Sequence, residues 1–242
     1  MIAADSPATD SGEWARGLHP VLRSRSAARQ AYDRASRWTR LEEPFERRAQ
    51  AAGLRLLGVQ PGERVLEPGC GAGGALIALA RAAGTAGLVA GLDLSPEMIR
   101  RAGARLRRAG LAGRTELLVA DACAIPFADG SFDAVFLAFT LELFDTPEIP
   151  LVLAECRRLL RPGGRVGVVS LSRAAPVRWP TRLYERLHDR FPATLDCRPI
   201  HARLALEAVG FEQARSVLVP LWGLRAEAVV AVRPDRRRPY LA

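Results

Sequence analysis

The spacing of hydrophobic positions along the chain changes several times, and each change marks an element. Over residues 31–57 apolar side chains return every three or four positions in two stretches separated by Pro44, which predicts two helices. Gln60-Pro61-Gly62-Glu63 reads as a turn. Strand and helix then alternate: 64–67 is a short strand, 75–83 an apolar helix, 88–92 a strand, 95–109 a helix and 115–120 a strand. The run 132–139 is almost wholly apolar, as befits a central parallel strand buried on both faces. A helix over 149–160 closes at Arg161-Pro162-Gly163-Gly164, and 165–171 is a fifth strand.

Beyond it lie an arginine- and aromatic-bearing stretch (172–199), a helix over 200–209, and two β-like runs. Those runs, 214–221 and 225–232, flank Trp222-Gly223-Leu224 and read as an antiparallel hairpin. The βαβα order implies one α/β domain with a parallel sheet covered by helices on both faces. Residues 1–28 show little periodicity and are expected to form a flexible N-terminal arm, with room for a short helix, ahead of a domain over 29–242. Within that domain, 29–60 forms N-terminal helices and 172–200 an insertion after the fifth strand.

Composition narrows the function classes. The chain has 242 residues, 49% hydrophobic and 25% charged, the balance of an ordinary globular protein. No apolar run approaches the roughly 18 residues that cross a bilayer, and Met1 to Gly12 lack the pattern of a signal peptide, so a cytoplasmic location is expected. Cys70, Cys123, Cys156 and Cys197 form no CxxC pair and do not cluster with His19, His188 or His201, so reduced thiols and no metal site are expected. The net charge is +9, and all 35 basic residues are arginine. They are spread along the chain at helical spacing, which reads as solvated helix faces and not as a nucleic-acid surface.

The chemistry concentrates after the first three strands. Glu67-Pro68-Gly69-Cys70-Gly71-Ala72-Gly73-Gly74 joins the first strand to a helix, and glycines there permit a tight turn and close approach of a ligand to the backbone. The same string satisfies GxGxxG, so a dinucleotide site competes locally. Glu67 argues against pyrophosphate, which a carboxylate repels, and for a cationic ligand. Asp93 follows the second strand, where ribose hydroxyls would lie, and Asp121-Ala122 follows the third. Ser95 before Pro96 suits the N-cap of the next helix.

Over 65–171 these pieces resemble a class I S-adenosylmethionine (SAM)-dependent methyltransferase. The resemblance rests on Val65-Leu66-Glu67-Pro68-Gly69-Cys70-Gly71-Ala72-Gly73, Gly91-Leu92-Asp93-Leu94-Ser95-Pro96-Glu97-Met98 and Asp121-Ala122. Pro126-Phe127-Ala128-Asp129-Gly130-Ser131-Phe132-Asp133-Ala134-Val135 and Leu159-Leu160-Arg161-Pro162-Gly163-Gly164 complete it. The pattern is similar to the methyltransferase-11 type and to ubiquinone/menaquinone-biosynthesis C-methyltransferases. Ala31-Tyr32-Asp33 matches their N-terminal helix, with Trp38 in place of a second tyrosine.

The resemblance implies a Rossmann-like seven-stranded, mostly parallel sheet ending in an antiparallel hairpin. It implies that Glu67, Gly69, Gly71 and Gly73 surround the methionine part of SAM, that Asp93 binds the ribose, and that Leu94 and Met98 flank the adenine. Asp121 and Ala122 would meet the adenine edge, Phe139 would border the methyl group, and Tyr32 would close over it. The acceptor would be a small molecule, an aromatic or quinone-type compound.

Alignment is the main demand of methyl transfer, and a base is needed only where the acceptor loses a proton. Glu142, His188 and His201 are the candidates for that base. Trp179, Leu183, Tyr184, Leu187, His188 and Phe191 recur at helical spacing, either as plain packing or as a cover over the acceptor. Arg178, Arg182, Arg186 and Arg190 form a row on the same stretch that would suit peripheral membrane contact. The competing readings are an NAD(P)-dependent oxidoreductase, a non-catalytic SAM-binding protein, and an RNA methyltransferase. An Asn-Pro-Pro-Tyr-like run would favour RNA, but Phe139-Thr140-Leu141-Glu142-Leu143 stands in its place.

Overall fold

A computed structural model of the chain describes residues 12–16, 18, 39–173, 186, 197–221 and 223–235, with backbone alone for 39–45. Seven strands form one sheet: β1 Arg64–Pro68, β2 Leu88–Asp93, β3 Thr115–Val119, β4 Phe132–Ala138, β5 Leu160–Leu171, β6 Glu212–Leu221 and β7 Leu224–Val232. Their spatial order is β3-β2-β1-β4-β5-β7-β6. β1 to β5 pair in parallel, and β7 runs antiparallel to both β5 and β6. The expected mostly parallel sheet with a terminal antiparallel hairpin is what the chain forms.

Helices cover both faces. α1 Thr39–Leu57, α2 Gly74–Ala83 and α3 Pro96–Arg108 lie on one side, and α4 Ile149–Leu159 and α5 Ala202–Ala208 on the other. β4 shows why its run is apolar from Ala134 onward. Ala134 and Phe136 enter the α1–α3 core, while Val135 and Leu137 enter the α4–α5 core. A strand that alternates faces between two cores has no solvent side to make polar.

One expectation needs correction. The helix α1 passes through Pro44 instead of breaking there. A proline in a helix removes one backbone hydrogen bond, but the later part of α1 is pressed onto the sheet. A Cβ at Gly53 would stand 2.3 Å from Val169 Cγ2 and 3.1 Å from Phe136 Cε2, so only glycine allows this approach. Leu57 and Ala49 are buried in the same core, and that packing outweighs one missing bond.

Within the segment 1–28 the described residues include a short helical turn. Glu13–Ala15 forms a 3-10 turn, and Trp14, 7% exposed, belongs to the core that α5 covers. Burying an indole releases more apolar surface from water than a short turn costs to order.

Candidate functional site

The strand order reverses between β1 and β4, and in open α/β sheets the ligand crevice lies at that switch point, beyond the carboxyl ends of the strands. β1 delivers Glu67 there, and Asp93 ends β2 beside it. Asp121 follows β3 on the far side, while Phe139 and Thr140 follow β4 on the near side. The acids expected after three consecutive strands thus occupy one edge of one sheet.

The glycine turn is held by its own backbone and by Asp93. Cys70 N–H donates to Leu92 O at 3.0 Å, and Gly73 N–H to Cys70 O at 2.9 Å. Asp93 Oδ2 accepts from Gly71 N–H and Oδ1 from Ser95 N–H, each at 2.9 Å. The carboxylate therefore clamps the turn after β1 to the turn after β2. Ser95 caps α3, its Oγ accepting from Met98 N–H at 3.2 Å, as its place before Pro96 indicates.

The glycines differ in purpose. Gly69 and Gly71 have φ of +68° and +51°, a left-handed region that side chains disfavour. A Cβ at Gly69 would collide with Thr140, 2.2 Å from its Cγ2, and Gly73 is packed against Ala102. At Gly71 a Cβ would meet nothing within 4 Å. The turn is closed at Gly69 and open at Gly71.

Glu67 is only 3% exposed, and its Oε2 has no hydrogen-bond partner. Burial first, and the neighbouring Asp93 charge second, push its carboxyl well above the usual carboxylate range. A buried carboxyl oxygen without a donor is costly unless something supplies one. An ammonium-bearing ligand in the space left open at Gly71 would do so. The Cys70 thiol beside it is pushed up by burial and then by Glu67 and Asp93, so it is an unreactive thiol.

Further along the edge, Asp121 Oδ1 accepts from Cys123 N–H at 2.9 Å, and Ala122 is buried. Met98 is buried and Leu94 half-buried. Phe139 takes φ +53°, and its N–H donates to Val169 O at 2.7 Å. A phenylalanine in the left-handed region is strained, and such strain persists only where surroundings enforce it. The Thr140 hydroxyl lies 3.2 Å from Gly69 O and 3.1 Å from Ala138 O, which ties the start of the loop after β4 to the glycine turn.

Glu142, a candidate base, lies just past the end of β4. It is fully buried, and its Oε1 accepts from Leu171 N–H at 3.2 Å, so it braces the end of β5. Arg198 was not singled out in the sequence. Its guanidinium reaches Glu142 O at 3.4 Å, Thr146 Oγ1 at 3.0 Å and Phe144 O at 2.7 Å. These partners are more than fifty positions away in sequence, and no local pattern announces them.

His201 is half-buried ahead of α5, its pKa lowered by burial and then by Arg173, with Glu13 opposing. Tyr32 and His188 lie outside the described residues, as do Trp38 and the aromatic stretch around Trp179. So does the arginine row except for Arg186. Among the described residues no group of three His, Cys, Asp or Glu is placed to hold a metal, and no helix is long and apolar enough to cross a membrane.

Fold and site together define an open-sheet α/β protein with acidic residues at the carboxyl ends of the strands beside its switch point. A family model described as "Methyltransferase domain" matches residues 65–164. The nocamycin O-methyltransferase of Saccharothrix syringae is 32% identical over 223 residues, covering 78% of this chain and 79% of that protein. The demethylmenaquinone methyltransferase of Bacillus velezensis is 38% identical over 113 residues, 47% of either chain. The chain thus spans about half the length of that quinone relative.

The solved structure of Burkholderia thailandensis 1,6-didemethyltoxoflavin-N1-methyltransferase, which holds 1,6-didemethyltoxoflavin and S-adenosylhomocysteine, shares the fold. Its TM-score is 0.64 at 21% identity, covering 89% of this chain and 88% of that one. The chain belongs to the SAM-dependent methyltransferases, and SAM is its cofactor.

Proposed function

We propose that this methyltransferase holds SAM across the carboxyl edge of β1, β2 and β3 and methylates a small aromatic or quinone-type acceptor. The observation that carries the reading is the buried Glu67 Oε2, which has no donor, on the strand that leads into the turn left open at Gly71. SAM, when bound, supplies a methyl group already activated on a sulfonium.

The chain's own residues bind, orient and exclude water. Glu67 pairs with the cationic amino-acid end, and Gly69, Gly71 and Gly73 let the backbone lie against it. Asp93, oriented by the Gly71 and Ser95 N–H groups, takes the ribose hydroxyls. Leu94 and Met98 flank the adenine, Asp121 and Ala122 meet its edge, and Phe139 borders the transferred methyl. The acceptor is held from the Phe139 side, where rate comes from alignment behind the methyl group. Tyr32 and His188 belong to this proposal through the sequence alone. A quinone-type acceptor is supported by the quinone relative, and a small-molecule acceptor more broadly by the nocamycin O-methyltransferase.

Calorimetry tests the cofactor site, with NAD as the competing ligand. Glu67→Gln and Asp93→Ala are each expected to weaken SAM and S-adenosylhomocysteine about tenfold to a hundredfold, as the loss of a charged hydrogen bond predicts. Wild-type affinity in both variants would remove the placement. Methyl transfer from labelled SAM to a demethylated hydroquinone, which offers both a ring carbon and hydroxyls, tests the acceptor. Label in neither product, with label in a transfer RNA added alongside, would replace the small-molecule reading.

A further inference from the structure

Beyond the ends of β4 and β5 sits a buried cation that the binding scheme above does not use. Arg198 is 1% exposed, the first in size among the fully buried side chains. A guanidinium out of water must direct its N–H groups at acceptors, because an unpaired buried charge is strongly unfavourable. Three of its acceptors, Glu142 O, Phe144 O and Thr146 Oγ1, lie on the loop between β4 and α4. Burial works against its charge, while Asp145 and then Glu142 work for it.

Arg198 is itself anchored. Two residues on, Ile200 N–H donates to Leu171 O and Ile200 O accepts from Arg173 N–H, both at 3.0 Å. The stretch around Ile200 thus forms a parallel bridge to Ser172 just past the end of β5. The loop that Arg198 grips has two further ties. Glu142 fastens it to Leu171 N–H, and Thr140 fastens it to Gly69 O. An unbroken series of contacts therefore runs from the end of β5 through Arg198 and residues 140–146 to the glycine turn. At its head Phe139 keeps a left-handed backbone that its own side chain disfavours.

We propose that Arg198 is a positioning residue, which fixes the 139–146 loop as one body so that Thr140 supports Gly69 and Phe139 holds its place beside the cofactor crevice. Affinity for the adenosyl ligand then depends on a guanidinium that does not touch it. The proposal rests on the SAM reading for the identity of that ligand.

The test uses the full chain carrying Arg198→Met or Arg198→Lys, with Arg203→Ala as a control at an exposed pair with Glu207. Amide hydrogen exchange and S-adenosylhomocysteine calorimetry are read together. In Arg198→Met the amides of Leu143, Phe144 and Leu171 should exchange at least about tenfold faster, with α2 and α3 unchanged, and the ligand should bind about tenfold more weakly. Arg198→Lys keeps the charge without the fork and should fall between the two.

A folded Met variant that binds within about twofold of wild type, or whose exchange quickens evenly over the molecule, would overturn the proposal and leave Arg198 an ordinary buried brace. If the Met variant does not fold, the Lys variant decides, and wild-type behaviour in both readouts overturns it. Wild-type protein that ignores S-adenosylhomocysteine would instead remove the SAM reading. The loop amides would then decide by themselves whether Arg198 holds the loop.

Discussion

Gly69 and Gly71 stand two positions apart with similar backbone angles, yet an added methyl group would act on them differently. Alanine at 71 meets no atom, so its cost to folding is the left-handed penalty of about 1–2 kcal/mol. Its methyl would nonetheless stand in the space assigned to the ligand. Gly71→Ala is therefore expected to weaken SAM binding well beyond its effect on stability. Alanine at 69 drives into Thr140 and should destabilise the protein by about 2–4 kcal/mol, as overpacking in a tight site does. Urea unfolding and calorimetry on both variants separate the two effects, and full affinity in Gly71→Ala would mean the ligand passes elsewhere. At this scale the sequence spoke clearly where function sits next to its own strand. Glu67 and Asp93 stand at the ends of β1 and β2 and Asp121 just past β3, and a strand end is a local feature. Arg198 was silent because its partners on the 142–146 loop come together only in the fold. Glu142 fell between these cases, since its place in the chain was legible but its direction is set by Leu171.

Elements were legible in proportion to how far their own pattern decides them. The apolar runs 134–138 in β4 and 228–232 in β7 follow from burial on both faces, whereas edge strand β6 is exposed at most positions and is defined by its partner β7. Pro44 reads locally as a break, and only the contact of Gly53 with Val169 and Phe136 shows why α1 continues. Trp14 was invisible for a related reason, since one aromatic residue among small polar neighbours has no period to reveal its burial. Removing its indole should cost about 3 kcal/mol, the low end for a buried tryptophan cut to alanine. A shift of the urea midpoint at unchanged slope would report that loss. A change under about 0.5 kcal/mol, the size of an ordinary surface substitution, would mean that the 3-10 turn rests on the core without supporting it.

For the molecule as a whole, the sheet order determines where charge collects. A chain with net charge +9 places Glu67 and Asp93 side by side at its switch point, one of them buried. The consequence is a pH dependence with a definite sign. The folded chain holds the Glu67 proton more tightly than the unfolded chain, whose carboxyl titrates near 4.5. Glu67 therefore contributes its stability fully below that value and loses it as pH rises through the raised folded value. Glu63 and Glu155, lowered by Arg165 and Arg158 in spite of some burial, act in the opposite direction and favour folding once pH exceeds their unfolded values. A ligand carrying an ammonium needs Glu67 ionised, so binding expels the proton within the window where the free protein retains it. Affinity for S-adenosylhomocysteine should then rise as pH increases from about 5 towards the folded pKa, by up to about tenfold per pH unit where one proton is released. Calorimetry in buffers of unequal ionisation enthalpy measures that proton directly. Glu67→Gln should abolish both the release and the slope while stabilising the free protein at high pH, because an amide carries no charge to bury. A slope that survives in Glu67→Gln would assign the proton to another group and leave the buried carboxyl without a part in recognition.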